Sequence, residues 1–354
     1  MMRKILIFFV VIVLVTISSI LCFAEGKKGA EEGVKEFPPP PPFESKIYAP
    51  EDEGKVKPID KMPEKPLRIA VLGLESCSFW IGVKEGCLDA KEELKPYNCQ
   101  VDWIVPGEQH TSDVYNNAID ACIAQEYDAI ATLAGDAGVV PFIDKASAAG
   151  IPVATFNVEV DKPNSRVFFV GADLYWQGQQ AAKTMVEAIG EEGKVGISTG
   201  WFSIEGHELR RKGFLDVINK DYPGIEIVGQ VEDFDKGELT YQQAMDFMSA
   251  HPDLKGIYVT TGGPFGAAKA VMDAGKKGEI WVVCFDLPDE NLEWVYKGTI
   301  FATLGQDAYA QGHDPAIRLY NYIVGGVVPP AARLYTRCDP VNKDNVLDYY
   351  TPKK

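Results

Sequence analysis

The chain has 354 residues, 46% hydrophobic and 24% charged, with 51 acidic against 35 basic side chains and a formal net charge of −16. It is long enough for two domains and apolar enough for real cores. It is acidic and carries no basic stripe, which excludes binding to a nucleic-acid backbone. Arg3 and Lys4 precede the apolar run 5–21, and Cys22, Phe23 and Ala24 follow it. A charged start, an apolar middle and a small residue at the end spell a secretory signal over residues 1–24, cut after Ala24. Two alternatives stay open: a lipid on Cys22, for which Leu21 is a poor preceding residue, or retention of the run as a short membrane anchor. Residues 25–65 carry "GKKGAEEGVKEFPPPPPFESK" and "EDEGKVKPIDKMPEKP". They are charged, Pro-rich and unable to bury a core, so a disordered linker is expected, stiffened as polyproline II over Pro38–Pro42.

From Leu67 the texture changes. Strands are predicted over residues 68–73, 101–105, 129–133, 152–156 and 167–170, with helices over 80–94, 112–124 and 139–149 between them. Alternating strand and helix means a parallel sheet covered on both faces. The pattern then restarts with the strands "GKVGIST", "IEIVGQ", "GIYVTT" and "IWVVCFD" and the helices "IEGHELRRKGFLDVINKDY", "LTYQQAMDFMSAHP" and "FGAAKAVMDAG". The fold class is therefore α/β, with two doubly wound parallel-sheet lobes.

In such lobes ligands bind outside the carboxyl ends of the strands. The residues just past those ends include Ser76, Phe79, Trp80, Asp136, Asn157, Glu159, Trp201, Arg210, Asp233, Phe234, Thr261, Asp286 and Gln306. They are aromatics, carboxylates, amides and one arginine, without a nucleophile and its base. That mixture suits a neutral polyol. Flat rings stack on sugar C–H faces, and Asp, Arg, Asn and Gln match hydroxyls as acceptors and donors. Two adjacent helical residues point about 100° apart, so at least one of Phe79 and Trp80 should face the mouth of the sheet.

The segments "GIPVATFN", "VGADLYWQGQQAA", "ELRRKGF", "VEDFDKG", "VVCFDLPDE" and "ATLGQDAYAQG" resemble the ribose and other sugar-binding type I periplasmic binding proteins of ABC importers, from about Leu67 to Pro340. The resemblance implies two lobes closing on a monosaccharide across a three-stranded hinge. The N-terminal lobe would hold residues 66–172 and 307–334, the C-terminal lobe 173–306 and 335–354. Hinges are expected near Gly171–Asp173, Gln306–Asp307 and Arg333–Tyr335. Carried over, Phe79 and Trp80 match the stacking aromatics after the first strand, and Phe234 the second stacking position. Arg210 matches the arginine ahead of the Gly-Phe pair, and Asp286 and Gln306 match directly. Asn157 stands where an Asp is frequent, Val158 where ribose binders carry Arg, and Thr261 where an Asn is frequent. These departures weigh against a plain pentose or glucose/galactose site. Asp136 joins the ligand set from its strand-exit position alone.

Each residue has a plainer role to weigh. Asp286 and Asp136 could cap helices, Arg210 could be a solvated charge, and Asp173 reads as a helix start. His110, His207, His251 and His313 lack metal-ligand spacing, and no nucleotide or hydrolase motif occurs. No cofactor or metal is expected. Six cysteines follow Cys22, and they are either bridged, as export permits, or buried free thiols. The expectation is an exported, monomeric, non-enzymatic substrate-binding protein in the periplasm or on the outer membrane face. Its partners would be a sugar or polyol and an ABC permease, and no nucleic acid. The alternatives are a sensing module for a chemoreceptor or kinase, a binder of a furanosyl signal molecule, and a glycosidase built on a carboxylate pair among Glu75, Asp136 and Asp286.

Overall fold

A computed structural model describes residues 37–108 and 111–352. The signal segment, its alternatives and His110 lie outside the described residues. Among the described residues thirteen strands fall into two sheets. The first sheet holds β1 (Lys46–Tyr48), β2 (Leu67–Leu72), β3 (Cys99–Ile104), β4 (Ala129–Thr132), β5 (Val153–Phe156), β6 (Phe168–Gly171) and β12 (Arg333–Tyr335), in the order β1-β12-β6-β5-β4-β2-β3, all parallel. The second holds β7 (Glu192–Thr199), β8 (Gly224–Glu232), β9 (Leu254–Val259), β10 (Trp281–Phe285), β11 (Ile300–Leu304) and β13 (Pro340–Asn342), in the order β13-β11-β10-β9-β7-β8. Only the edge strand β13 runs antiparallel. In each sheet the strand order reverses beside the first long strand, β2 or β7, which is where a doubly wound fold opens its crevice.

The central strands β4, β5, β6, β9 and β10 form where β-branched and apolar residues predominate, because both sheet faces are covered there. In β10 the alternation is visible. Val282 and Cys284 join the core on one face, and Val283 and Phe285 the core on the other. The helices are α1 (Phe79–Leu94), α2 (Ser112–Ala124), α3 (Val140–Ala148), α4 (Leu174–Ile189), α5 (Glu205–Asp221), α6 (Gly237–Ala250), α7 (Pro264–Asp273), α8 (Asp289–Lys297) and α9 (Ala308–Gly325). Among the described residues no helix is long and apolar enough to cross a membrane.

The chain passes between the sheets three times: from β6 into α4, from β11 into α9, and from β12 to β13. The passages are laced together. The Thr336 N–H donates to the Gly171 carbonyl at 2.9 Å, and Thr336 Oγ1 donates to the Gln306 carbonyl at 2.8 Å. Helices meet closely at glycines on each side. A Cβ on Gly312 of α9 would lie 1.8 Å from the Val83 carbonyl of α1, and one on Gly178 of α4 would lie 2.1 Å from the Arg210 carbonyl of α5.

The expected linker over residues 25–65 needs correction where it is described. From Phe37 onward it is a strap docked on α9 and on the edge of the first sheet. Phe37 stacks on Tyr322, whose hydroxyl donates to the Pro38 carbonyl. β1 pairs with β12. Asn321 holds the strap at two points, taking the Ile59 N–H and donating to the Lys57 carbonyl, each at 2.9 Å. Tyr320 donates to the Lys61 carbonyl at 2.6 Å, and Arg318 pairs with Asp52 at 2.7 Å. Composition was right that the segment makes little core, since Val56 is the one buried hydrophobic residue among its described residues, 37–65. The order comes instead from buried polar side chains of α9 that satisfy the strap's backbone.

Candidate functional site

Strand ends of both sheets converge on a cavity of about 50 Å³. At about 10–15 Å³ per water that is room for roughly three to five water molecules. Its wall includes Phe79, Trp80, Asn157, Arg210, Thr261, Asp286 and Gln306, seven of the nine residues singled out from sequence.

Phe79 and Trp80 open α1. Both are buried, at 9% and 4% exposure, and their rings meet edge to face at 5.4 Å. Both reach the cavity while also packing on the core of the first sheet. A perpendicular pair presents one ring face and one ring edge to the same space.

Asn157 and Asp286 follow β5 and β10 with φ of 64° and 72°. The left-handed turn costs free energy outside glycine, and Asn and Asp tolerate it best. Asp286 Oδ1 takes the Gln306 Nε2 proton at 2.7 Å, and its backbone carbonyl is fixed by Thr303 and Asn291. Burial pushes the Asp286 carboxyl up, and the nearby Arg210 charge opposes the shift. Asn157 donates to Gln311 Oε1 at 3.0 Å, and Gln311 Nε2 donates to the Gln306 carbonyl at 2.7 Å. One α9 residue thus links the strand ends of the two sheets.

Arg210 is buried on α5. Its Nε and Nη2 donate to Gln177 Oε1 at 3.2 and 2.8 Å and its Nη1 to the Thr260 carbonyl at 2.9 Å, while the guanidinium lies 3.9 Å over the Phe285 ring. A guanidinium has five N–H bonds, so two remain for a guest. Thr261 Oγ1 is buried without a hydrogen-bond partner in the protein. A buried unsatisfied hydroxyl costs about 1–3 kcal/mol, which a bonding guest would recover.

Asp136 and Phe234 are not part of this wall. Both Asp136 oxygens are engaged as helix caps, taking the Gly138 and Ser112 N–H groups at 2.8 Å each. Phe234 and Asp235 both hold positive φ. The double left-handed turn leaves Phe234 38% exposed against Trp201 and brings Asp235 to the cavity instead. Asp173 caps α4, taking the Trp176 N–H at 3.0 Å. Glu159, another strand-exit residue, is held in ion pairs with Arg166 and Arg333. The six described cysteines are free thiols. Among the described residues no cluster of His, Cys, Asp or Glu could hold a metal.

Sequence reasoning placed Asp235 at a strand exit beside Phe234 without choosing it for the site, and missed His207, Cys77 and Leu174 in the wall. His207 was within reach, because it precedes Arg210 by three residues on one helix and so shares its face. His207 Nδ1 accepts the Trp201 N–H at 3.1 Å, so the neutral ring carries its proton on Nε2. The arrangement supplies flat apolar surface and convergent donors and acceptors, with carboxylates on the second-lobe side.

The lobes stand closed over this space. The Ser78 hydroxyl of the first lobe donates to the Glu290 carboxylate of the second. Val158 of the first lobe approaches Gly206 of the second so closely that a Cβ there would lie 3.1 Å from its methyl.

Known proteins share this architecture. The D-apiose import binding protein of Paraburkholderia graminis is 25% identical over 245 residues, 69% of this chain and 78% of that one. A glucose-galactose binding protein from Geobacillus stearothermophilus, 26% identical, superposes with a TM-score of 0.71 over 80% of this chain and 99% of that one. A solute-binding protein from Burkholderia graminis in complex with D-arabinose, 25% identical, gives 0.73 over 82% and 99%. The model of the periplasmic binding protein domain matches residues 71–326. With that span covering most of the chain, and with two doubly wound lobes closed on one cavity, the chain belongs to the periplasmic binding protein domain family, in its type I sugar-binding branch.

Proposed function

We propose that this protein captures a monosaccharide or a similarly small polyol outside the cytoplasmic membrane and delivers it to the permease of an ABC importer. The observation that carries the reading is the cavity wall. Rings from the first lobe face Arg210, Thr261, Asp286 and Gln306 from the second. The guest's C–H face lies on Phe79 and Trp80. Its hydroxyls donate to the Asp286 oxygen not bonded to Gln306, and accept from the two remaining Arg210 N–H bonds. Charge-assisted bonds of this kind contribute about 1.5–3 kcal/mol each. The names of relatives and neighbours, which speak of D-apiose, D-arabinose and glucose or galactose, support the ligand class. The passages near Gly171, Gln306 and Thr336 act as the hinge, and bonds to both lobes pull an open–closed equilibrium towards closure.

Thermal-shift measurements over D-apiose, D-arabinose, D-ribose, D-allose, D-glucose and D-galactose test the reading, since a tight ligand raises the melting temperature by mass action. At least one sugar should stabilise the protein. Asp286→Ala should then lose tenfold or more in calorimetric affinity, about 1.4 kcal/mol. No response to any of these sugars, or an unchanged affinity in the variant, would overturn it.

A further inference from the structure

The strap reaches all three passages between the lobes, and it precedes the 71–326 span shared with the family. β1 belongs to the first sheet. At its end, the Tyr48 hydroxyl donates to the carboxylate of Asp173, the residue that caps α4 of the second lobe. The Tyr48 ring also lies 6.1 Å from that of Trp176 on the same helix and 5.0 Å from that of Tyr335. Five residues on, Glu53 is buried at 5% exposure and takes the Arg337 N–H on its two oxygens at 3.1 and 3.3 Å. Its carboxyl also makes a hydrogen-bonding contact with that of Asp307. Asp307 in turn accepts the Ala310 N–H at 3.0 Å and an Arg337 guanidinium N–H at 3.2 Å. Asp173, Asp307 and Arg337 lie one on each passage.

We propose that Tyr48 and Glu53 are positioning residues for ligand capture, clasping the edge of the first sheet to all three passages and so biasing the lobes towards the closed arrangement. Apparent affinity scales with the fraction of molecules in the binding-competent form, so residues outside the cavity set how tightly it holds its guest.

The clasp is also sensitive to pH. Two carboxyl groups bond to each other only if one carries a proton. Glu53 is the more deeply buried of the two, at 5% side-chain exposure against 15%, so it is the donor. Burial first, and contact with Asp307 second, raise the Glu53 carboxyl to about 8. A raised carboxyl contributes fully below its ordinary value near 4.5 and loses that contribution as pH rises through about 8. The charged groups around it are Asp307 at the start of α9, Arg337 after β12 and, through Arg337, Asp339 at 3.6 Å. On the strap and the α9 face beneath it, Asp52 is paired with Arg318, and Asp314 takes the Gly54 N–H.

The test deepens the capture reading but needs no sugar, so failure of sugar binding and failure of the clasp are separate results. Spin labels are attached through keto-bearing unnatural residues at Ile81 of α1 and Tyr296 of α8, both exposed, which leaves the native thiols alone. Double electron–electron resonance on dialysed, ligand-free protein then reads the distance between lobes. In wild-type protein the longer-distance population should grow from pH 6 to pH 9. Tyr48→Phe and Glu53→Ala should show it already at pH 6, on the order of threefold to tenfold above wild type, as expected for the loss of one or two hydrogen bonds. Glu53→Gln keeps a donor for Asp307 and an acceptor for Arg337, so it should stay at the wild-type pH 6 distribution at both pH values. One distribution shared by wild type, Tyr48→Phe and Glu53→Ala, or a Glu53→Gln that follows Glu53→Ala, would overturn the proposal.

Discussion

Asp233 shows how one proton can be read from heavy-atom geometry. It is fully buried after β8, with Oδ2 lying 2.6 Å from Ser198 Oγ and Oδ1 accepting the Asp235 N–H at 2.9 Å. Ser198 Oγ also lies 2.7 Å from Gln243 Oε1, while Gln243 Nε2 is committed to the Glu232 carbonyl at 2.8 Å. The hydroxyl has one proton, and Gln243 Oε1 can only accept it. Both contacts are hydrogen bonds when Asp233 is protonated and donates to Ser198. Burial, the largest cause, raises the Asp233 carboxyl from 3.8 to about 7, in accord with that network. The group binds its proton more tightly folded than unfolded, so its contribution to stability is complete below about 4 and is lost as pH rises through about 7. Urea melts from pH 5 to pH 8.5 should show falling stability, and Asp233→Asn, which keeps a donor, should flatten the curve. An identical slope in the variant would remove Asp233 from the account. The same turn shows where residue-level reading succeeds and fails. The place of Asp286 and Gln306 at the cavity wall was legible because both follow a strand end. Phe234 was not, because the paired positive φ of Phe234 and Asp235 turns one side chain out and the next one in.

Between elements, the approach of α4 to α5 aims Arg210. A Cβ at Gly178 would strike the Arg210 backbone oxygen, and one at Gly213 would sit 2.1 Å from the Tyr175 carbonyl. Gly178→Ala should force the helices apart, costing about 1–3 kcal/mol of stability as overpacking does. It should also weaken ligand binding about tenfold, because charge-assisted donors depend on direction. Melts together with calorimetry check this, and a variant that loses stability while keeping full affinity would uncouple the helix pair from the site. Most strands could be read in advance, since buried parallel strands are nearly unbroken apolar runs such as "IAVL" within β2 and "WVVCF". α9 could not. It is buried almost all round, holds Pro315, and carries His313, Asp314, Arg318 and Asn321 in its interior-facing turns. Those polar residues break the apolar stripe that marks an ordinary helix. They are tolerated because the strap, itself unreadable from composition, supplies partners for Asp314, Arg318 and Asn321.

For the whole molecule, the repeated strand and helix pattern announced two lobes, and the paired sheets carry it out with one reversal of strand order each. Sequence patterning could not announce the reach of the strap, whose bonds to α9 join residues more than 250 positions apart. The strap also has a bearing on where the molecule can be cut. Trimming the chain to start at Leu67, just ahead of the span matched by the family, would remove β1 and leave β12, Arg333–Tyr335, as a bare sheet margin with open N–H and C=O groups. Such a margin invites strand addition from a second molecule. The trimmed protein should therefore self-associate in sedimentation while the full-length protein stays dispersed, making the smallest well-behaved unit longer than the part it shares with its relatives.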